Sequence, residues 1–313
     1  MTRIIDSHVH ILGRGYLPEK WYEIGAKKWA ARTWPPRDAS LIDIEGGILD
    51  EDAELLLTEL EKAGIESAIC LGLDWGVEFG EPKVSLREVT KHYGQLQTKH
   101  AGKIYGVAGI DPRRPDALEI FDEAVTRQGL KGLKIYPPSG YSAADPICFP
   151  LYEKCVEANV PVVIHTAFVG YPHSGHLANP ININEVQVRY PDLTIVLAHS
   201  GHPIWAREAA QVVSYHPTSF LEISNWNDDM DRDPEGVIRI LAHMRDMVGA
   251  HRMLFASDHL GGRRFSGDRS RLGDWVSFID DLPRSASAYG LSFAREEVDL
   301  ILGENAIRAF RLS

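Results

Sequence analysis

Short apolar runs and longer stretches with apolar residues at helical spacing follow one another along this chain, separated by polar turns. The runs 65–71, 104–110, 130–136, 160–165, 193–199, 219–224 and 253–258 are largely apolar and rich in β-branched residues, which predicts buried parallel strands. One more such run opens the chain at Ile4-Ile5 and passes into Asp6-Ser7-His8-Val9-His10. Between the runs, apolar spacing predicts helices over 52–64, 84–100, 116–128, 149–159, 184–190, 204–215 and 234–248, with two more over 271–281 and 294–310. Eight strands alternating with helices predict an α/β fold, a (β/α)8 TIM barrel. An open dinucleotide-binding sheet would carry a glycine-rich phosphate turn after the first strand, and none is present.

Residues 13–50 break the alternation. They are rich in Trp, Pro, Arg and Lys, including Trp21, Trp29, Trp34, Pro35 and Pro36, and are too aromatic for a disordered linker. They read as an irregular insertion or lid folding over the end of the first strand, within a single barrel domain spanning 1–313.

Charge and cysteine content narrow the partners. Lys plus Arg number 33 and Asp plus Glu 44, a formal charge of −11 that disfavours nucleic acid and anionic membranes. Cys70, Cys148 and Cys155 show no paired spacing and read as reduced core residues. No run is long and apolar enough to cross a bilayer, so a cytoplasmic protein is expected.

The polar residues that do enter the apolar runs fall at strand ends, where barrels carry their chemistry. His8 and His10 alternate onto one face with Asp6, the fourth run carries Lys134, and the fifth, sixth and eighth end in His165, His199 and Asp258. Any one of these could be a satisfied core residue or a cap; together, in one layer of one barrel, they form a constellation. Imidazoles and a carboxylate suit a divalent ion, most simply zinc with manganese as the alternative, able to activate water and polarise a carbonyl. Asp258 fits the proton-transfer role and can also touch the ion, and His199 could ligate it or bond the substrate oxygen.

The pattern resembles the amidohydrolase superfamily over residues 4–312. The resemblance rests on Asp6-Ser7-His8-Val9-His10, Gly132-Leu133-Lys134-Ile135-Tyr136-Pro137, Val163-Ile164-His165, Leu197-Ala198-His199-Ser200-Gly201, Phe255-Ala256-Ser257-Asp258 and Ile301-Leu302-Gly303-Glu304-Asn305-Ala306. It is most similar to the branch holding aminocarboxymuconate-semialdehyde decarboxylase, aromatic-acid decarboxylases, and lactone and carbon–carbon bond hydrolases. The resemblance implies His8, His10, His165 and Asp258 as metal ligands, with His199 beside substrate or metal. Lys134 sits where binuclear members carry a carboxylated lysine, which would bridge a second metal. A free Lys134 would instead bind a substrate carboxylate. A further branch, similar to pyrone-dicarboxylate lactonase, works without metal.

Substrate contacts are expected from Tyr136, His202, Trp226, His259, Arg263 and Arg264, with a guanidinium able to hold a carboxylate in bidentate fashion. The expected activity is metal-dependent hydrolysis of a lactone, amide or activated carbon–carbon bond in a small carboxylated compound. The alternative is non-oxidative decarboxylation of an aromatic or muconate-type acid at the same site, and a third reading is a non-catalytic ligand-binding protein. A small molecule is the expected partner, and a homodimer or homotetramer is an expectation from the resemblance.

Overall fold

The computed structural model describes residues 3–312; positions 1, 2 and 313 of the expected 1–313 domain lie outside the described residues. The elements run β1 (Ile5–His10), α1 (Glu19–Ala30), α2 (Glu45–Ile48), α3 (Glu54–Ala63), β2 (Ser67–Leu71), α4 (Gly76–Phe79), α5 (Leu86–Lys99), β3 (Ile104–Gly109), α6 (Ala117–Thr126), β4 (Leu133–Ile135) and α7 (Phe149–Ala158). They continue with β5 (Val162–His165), α8 (Ile181–Arg189), β6 (Ile195–Ala198), α9 (Ala206–Ser214), β7 (Ser219–Glu222), α10 (Pro234–Val248), β8 (Met253–Leu254) and β9 (His259–Leu260). The chain ends with α11 (Leu272–Asp280), α12 (Leu282–Ser285), α13 (Arg295–Asp299) and α14 (Asn305–Phe310). Local chemistry marks the helix starts. Ser85 and Glu88 form a capping box before α5, the Asp233 carboxylate accepts from Gly236 N before α10, and proline opens α10.

All strand pairs are parallel, in the order β8-β7-β6-β5-β4-β3-β2-β1-β9. The sheet curls into a TIM barrel. The eighth apolar run, expected as one strand over 253–258, is divided. Met253–Leu254 pairs with β7, and after a bend His259–Leu260 pairs with β1. The bend is held against β1 by Ser7 N donating to Phe255 O at 3.0 Å and Asp258 N donating to His8 O at 2.9 Å. The Asp6 carboxylate accepts from both Ser257 N and Ser257 Oγ, so it fixes the turn that delivers the next residue.

Alternate strand residues divide into two cores. Ile5, Ile69, Leu71, Tyr105, Val107, Val163, Val196, Phe220 and Leu254 fill the barrel, joined by Ala306, Ala309 and Phe310 of α14. The opposite faces pack against the surrounding helices, with Trp275 and Phe121 among the largest buried side chains. The C-terminal segment approaches β1 so closely that a Cβ on Gly303 would lie 1.9 Å from Arg3 O. Asn305 is fully buried, and its Nδ2 donates to Ala250 O and Met253 O, both at 2.8 Å. The Asn305→Ala protein should therefore lose about 2 kcal/mol of stability, read as a lower urea midpoint, because two buried carbonyls lose their donor.

The 13–50 insertion is more regular than its composition suggests: it holds α1 and α2. Its apolar residues were too few and too dispersed among charges to display helical spacing. Leu17, Ala26, Ile44 and Ile48 form a third cluster with Trp75 and Phe79, and Leu12, Leu73 and Tyr136 from strand-end segments pack with it. The loop after β9 locks onto α2: Gly262 takes φ +94°, and a Cβ there would lie 2.6 Å from Ile48 Cα.

Candidate active site

The C-terminal ends of the strands bring His8, His10 and Asp258 together. His8 Nε2 lies 3.1 Å from His10 Nε2, and Asp258 Oδ1 lies 3.3 and 3.2 Å from those two nitrogens. A register shift in β1 between Asp6 and Val9 accompanies this arrangement. Asp6, expected on the same face as the two histidines, instead spends its carboxylate on backbone and Ser257 contacts and does not line the cavity. Asp258 has φ +57°, an uncommon left-handed conformation that a short acidic residue tolerates.

Each histidine is oriented by its other ring nitrogen. His10 Nδ1 donates to Leu71 O at 2.7 Å, His8 Nδ1 meets Glu222 Oε2 at 2.6 Å, and His165 Nε2 donates to Ala167 O at 3.1 Å. His199 Nδ1 meets Ser224 Oγ at 2.7 Å, while its Nε2 faces His165 Nδ1 at 3.0 Å. Carbonyl and carboxylate partners accept only, so they fix the proton on the outer nitrogen and turn a lone pair inward. His8 Nε2, His10 Nε2 and Asp258 Oδ1 are then three acceptors within mutual contact, an arrangement that a cation would satisfy. This donor set, with a carboxylate behind one imidazole, fits a divalent metal. His165 stands one contact further round the ring, against His199, and is outside the tight trio.

Burial pushes the His8, His165 and His199 pKa values well below the ordinary imidazole range, so these rings are neutral, as ligands must be. Burial works to raise the Asp258 carboxyl, but His8, His10 and Lys134 outweigh it and the net direction is down. Burial lowers the Lys134 ammonium, opposed by Glu222 and Asp258. Lys134 Nζ is fully buried and has no hydrogen-bond partner among the described residues.

These groups form the floor of a cavity of about 210 Å³ whose walls are apolar: Leu12, Leu17, Trp21, Leu73, Trp75 and Leu260. Tyr136 lines it and packs against His165, with ring centroids 4.4 Å apart and the planes tilted by 41°. Other sequence candidates stand outside this cavity. His202 pairs with Asp229 and packs on Trp226, whose Nε1 donates to His199 O. Arg263 is exposed, and Arg264 lies over Trp29 at 4.3 Å. His259 is buried on the other side of Asp258, facing Phe265. Of the insertion's tryptophans, Trp21 roofs the cavity, Trp29 is partly exposed and Trp34 is 92 % exposed.

Two contributors escaped sequence reasoning. Glu222 is the sole charged residue in the 219–224 run and stands at a strand end like the other site residues, a signal that could have singled it out. Trp75 follows β2 in a loop with no periodicity to mark it; its neighbours Trp21, Tyr136 and His173 come from three separate segments.

A model of the amidohydrolase family matches residues 5–312. Among curated proteins, protein fluG of Emericella nidulans is 26% identical over 105 residues, which is 34% of this chain and only 12% of that protein's length. A 5-carboxyvanillate decarboxylase from Novosphingobium aromaticivorans, solved with bound manganese, superposes with a TM-score of 0.68 at 16% identity, covering 99% of this chain and 97% of that one. A 2-pyrone-4,6-dicarboxylic acid hydrolase assigned in Pseudomonas putida gives a TM-score of 0.60 at 16% identity, covering 99% and 98%. These structural likenesses establish the barrel. Among the described residues no helix is long and apolar enough to cross a membrane.

Proposed function

Because this chain belongs to the amidohydrolase family, we propose that its cavity binds a small planar carboxylate and hydrolyses a lactone, amide or activated carbon–carbon bond in it. The observation that carries this reading is the meeting of His8 Nε2, His10 Nε2 and Asp258 Oδ1 beside Lys134, whose Nζ has no hydrogen-bond partner among the described residues.

His8, His10 and Asp258 would hold one divalent ion, zinc or manganese, and His165 would join them through Nδ1 on giving up its contact with His199 Nε2. When bound, that ion supplies an acidified water and a polarised carbonyl. The rest of the work falls to the chain. Asp258, held ionised and 28 % exposed to the cavity, accepts the proton released as water adds and returns it to the leaving oxygen, nitrogen or carbon. His199, its ring set by Ser224, would turn its Nε2 from His165 Nδ1 to the substrate's carbonyl oxygen. Trp21, Trp75 and Tyr136, joined by ring contacts through Trp75, exclude water and cover a flat substrate, and Lys134 neutralises its carboxylate.

Decarboxylation is the second reading, favoured by the apolar walls, which disfavour a charged carboxylate and not the neutral carbon dioxide that leaves as the freed carbon takes a proton. A panel of lactones, amides and hydroxylated aromatic acids separates the two, since one reaction yields a ring-opened or cleaved acid and the other carbon dioxide. Saturable binding of panel members with turnover of none would refute both and leave a ligand-binding protein.

Lys134→Met should raise KM for an acidic substrate at least tenfold, roughly the worth of a buried charge-assisted contact, and leave the response to an uncharged ester small. In the unaltered enzyme KM should climb with rising pH below the ordinary lysine range, because burial lowers that ammonium's pKa and its positive charge is lost early. A KM that is flat up to the ordinary lysine pKa would show that Lys134 does not hold the substrate.

A further inference from the structure

Beyond Asp258 lies a second cavity, of about 390 Å³, that meets the first at Asn225, Asp258 and Leu260. It is the more polar of the two, although Leu260, Phe265 and Leu272 also line it. Where the first is walled by leucine and tryptophan, the second is walled by Asn227, Asp228, His259 and three arginines.

Two of its side-chain atoms are buried without a hydrogen-bond partner among the described residues. They are His259 Nε2, on a residue only 8 % exposed, and Asn227 Oδ1, whose amide nitrogen is already committed to Ser257 O at 3.3 Å. Orphaned buried polar atoms are costly and mark a place where something else supplies the bond. The arginines differ in availability. Arg271 is taken by Asp231 and Asp274, and Arg264 donates to Asp43 O and covers Trp29. Arg269 has no side-chain partner among the described residues. An exposed arginine alone would carry nothing; the orphaned atoms in the same cavity give it a ligand to share.

Among the described residues, one cation without a hydrogen-bond partner thus lines each cavity, Lys134 the first and Arg269 the second, with Asp258 between them. Water could satisfy Asn227 and His259, but an anionic group is what a guanidinium and a carboxamide oxygen would jointly select if it also carried a hydroxyl.

We propose that the second cavity is a substrate subsite for a hydroxy-acid arm, so that the substrate is an elongated dianion with a flat end on Lys134 and its arm on Arg269, Asn227 and His259. This rests on the reading of the first cavity given above and names the substrate class for it. Asp258 is then flanked by substrate on both sides, and the bond that reacts lies near the junction of ring and arm.

The test is calorimetric binding to the metal-loaded protein of three probes: benzoate, 3-(carboxymethyl)benzoate, and 3-carboxymandelate, which adds the hydroxyl. 3-Carboxymandelate should bind about tenfold or more tighter than benzoate, with 3-(carboxymethyl)benzoate between them. Arg269→Ala should bring all three affinities close together, Arg269→Lys should restore part of the spread, and Asn227→Ala should erase only the step contributed by the hydroxyl. Equal affinities in the unaltered protein, or a spread that survives Arg269→Ala in folded protein, would overturn the subsite. Failure of the catalytic reading shows separately, as absent turnover, and leaves the affinity ratios intact.

Discussion

The Asp258→Asn protein is expected to fold normally and to lose turnover by about a thousandfold or more, the scale of a general acid–base group that also contacts a metal. The amide keeps the shape of the side chain but cannot accept a proton from water. It also removes one of the two negative charges that hold Lys134 protonated, so substrate binding weakens as well. Activity and metal content should be measured together on each preparation. Lost turnover with metal retained assigns the proton role to Asp258, and joint loss shows that its bond to the metal dominates. Turnover within tenfold of the unaltered enzyme would remove Asp258 from the mechanism.

Glu222→Gln should weaken metal binding by about 10- to 100-fold, the usual cost of losing the group behind a ligating imidazole. The carboxylate serves two donors at once: Oε2 faces His8 Nδ1, and Oε1 accepts from Ser224 N. An amide offers a single acceptor, so one donor must face its NH2. Ser224 in turn contacts His199 through its hydroxyl, which couples both histidines to the same carboxylate. Competition against a chelator, followed by elemental analysis, reads the affinity without recourse to activity. Unchanged occupancy at every chelator concentration would show that Glu222 only fills space.

The two substitutions separate contacts the sequence displays from one it conceals. Asp258, His8 and His10 stand at the ends of apolar runs, where a polar side chain must have a partner, and that rule was enough to group them. Glu222 obeys the same rule, but a single glutamate in a strand gives no sign of whether it meets a lysine, a histidine or solvent. Its partner His8 is 214 residues away. Arg263 and Arg264 illustrate the converse. A glycine-rich loop after a strand suggested an arginine reaching the substrate, yet α2 and Trp29 of the insertion hold that loop, and neither arginine lines the first cavity.

By itself the sequence determined the barrel and the layer in which polar residues gather at the strand ends, because burial on both faces of a strand and the spacing of helices are local properties of the chain. It also determined that histidines and a carboxylate share that layer. The tertiary structure decided which of them touch. The break in the eighth strand turns Asp258 onto His8 and His10, Glu222 orients His8, and the helical insertion brings Trp21 onto Trp75 to roof an apolar cavity. These are contacts between segments remote in the chain, fixed by packing and by the demand of buried polar atoms for partners, and no local pattern encodes them.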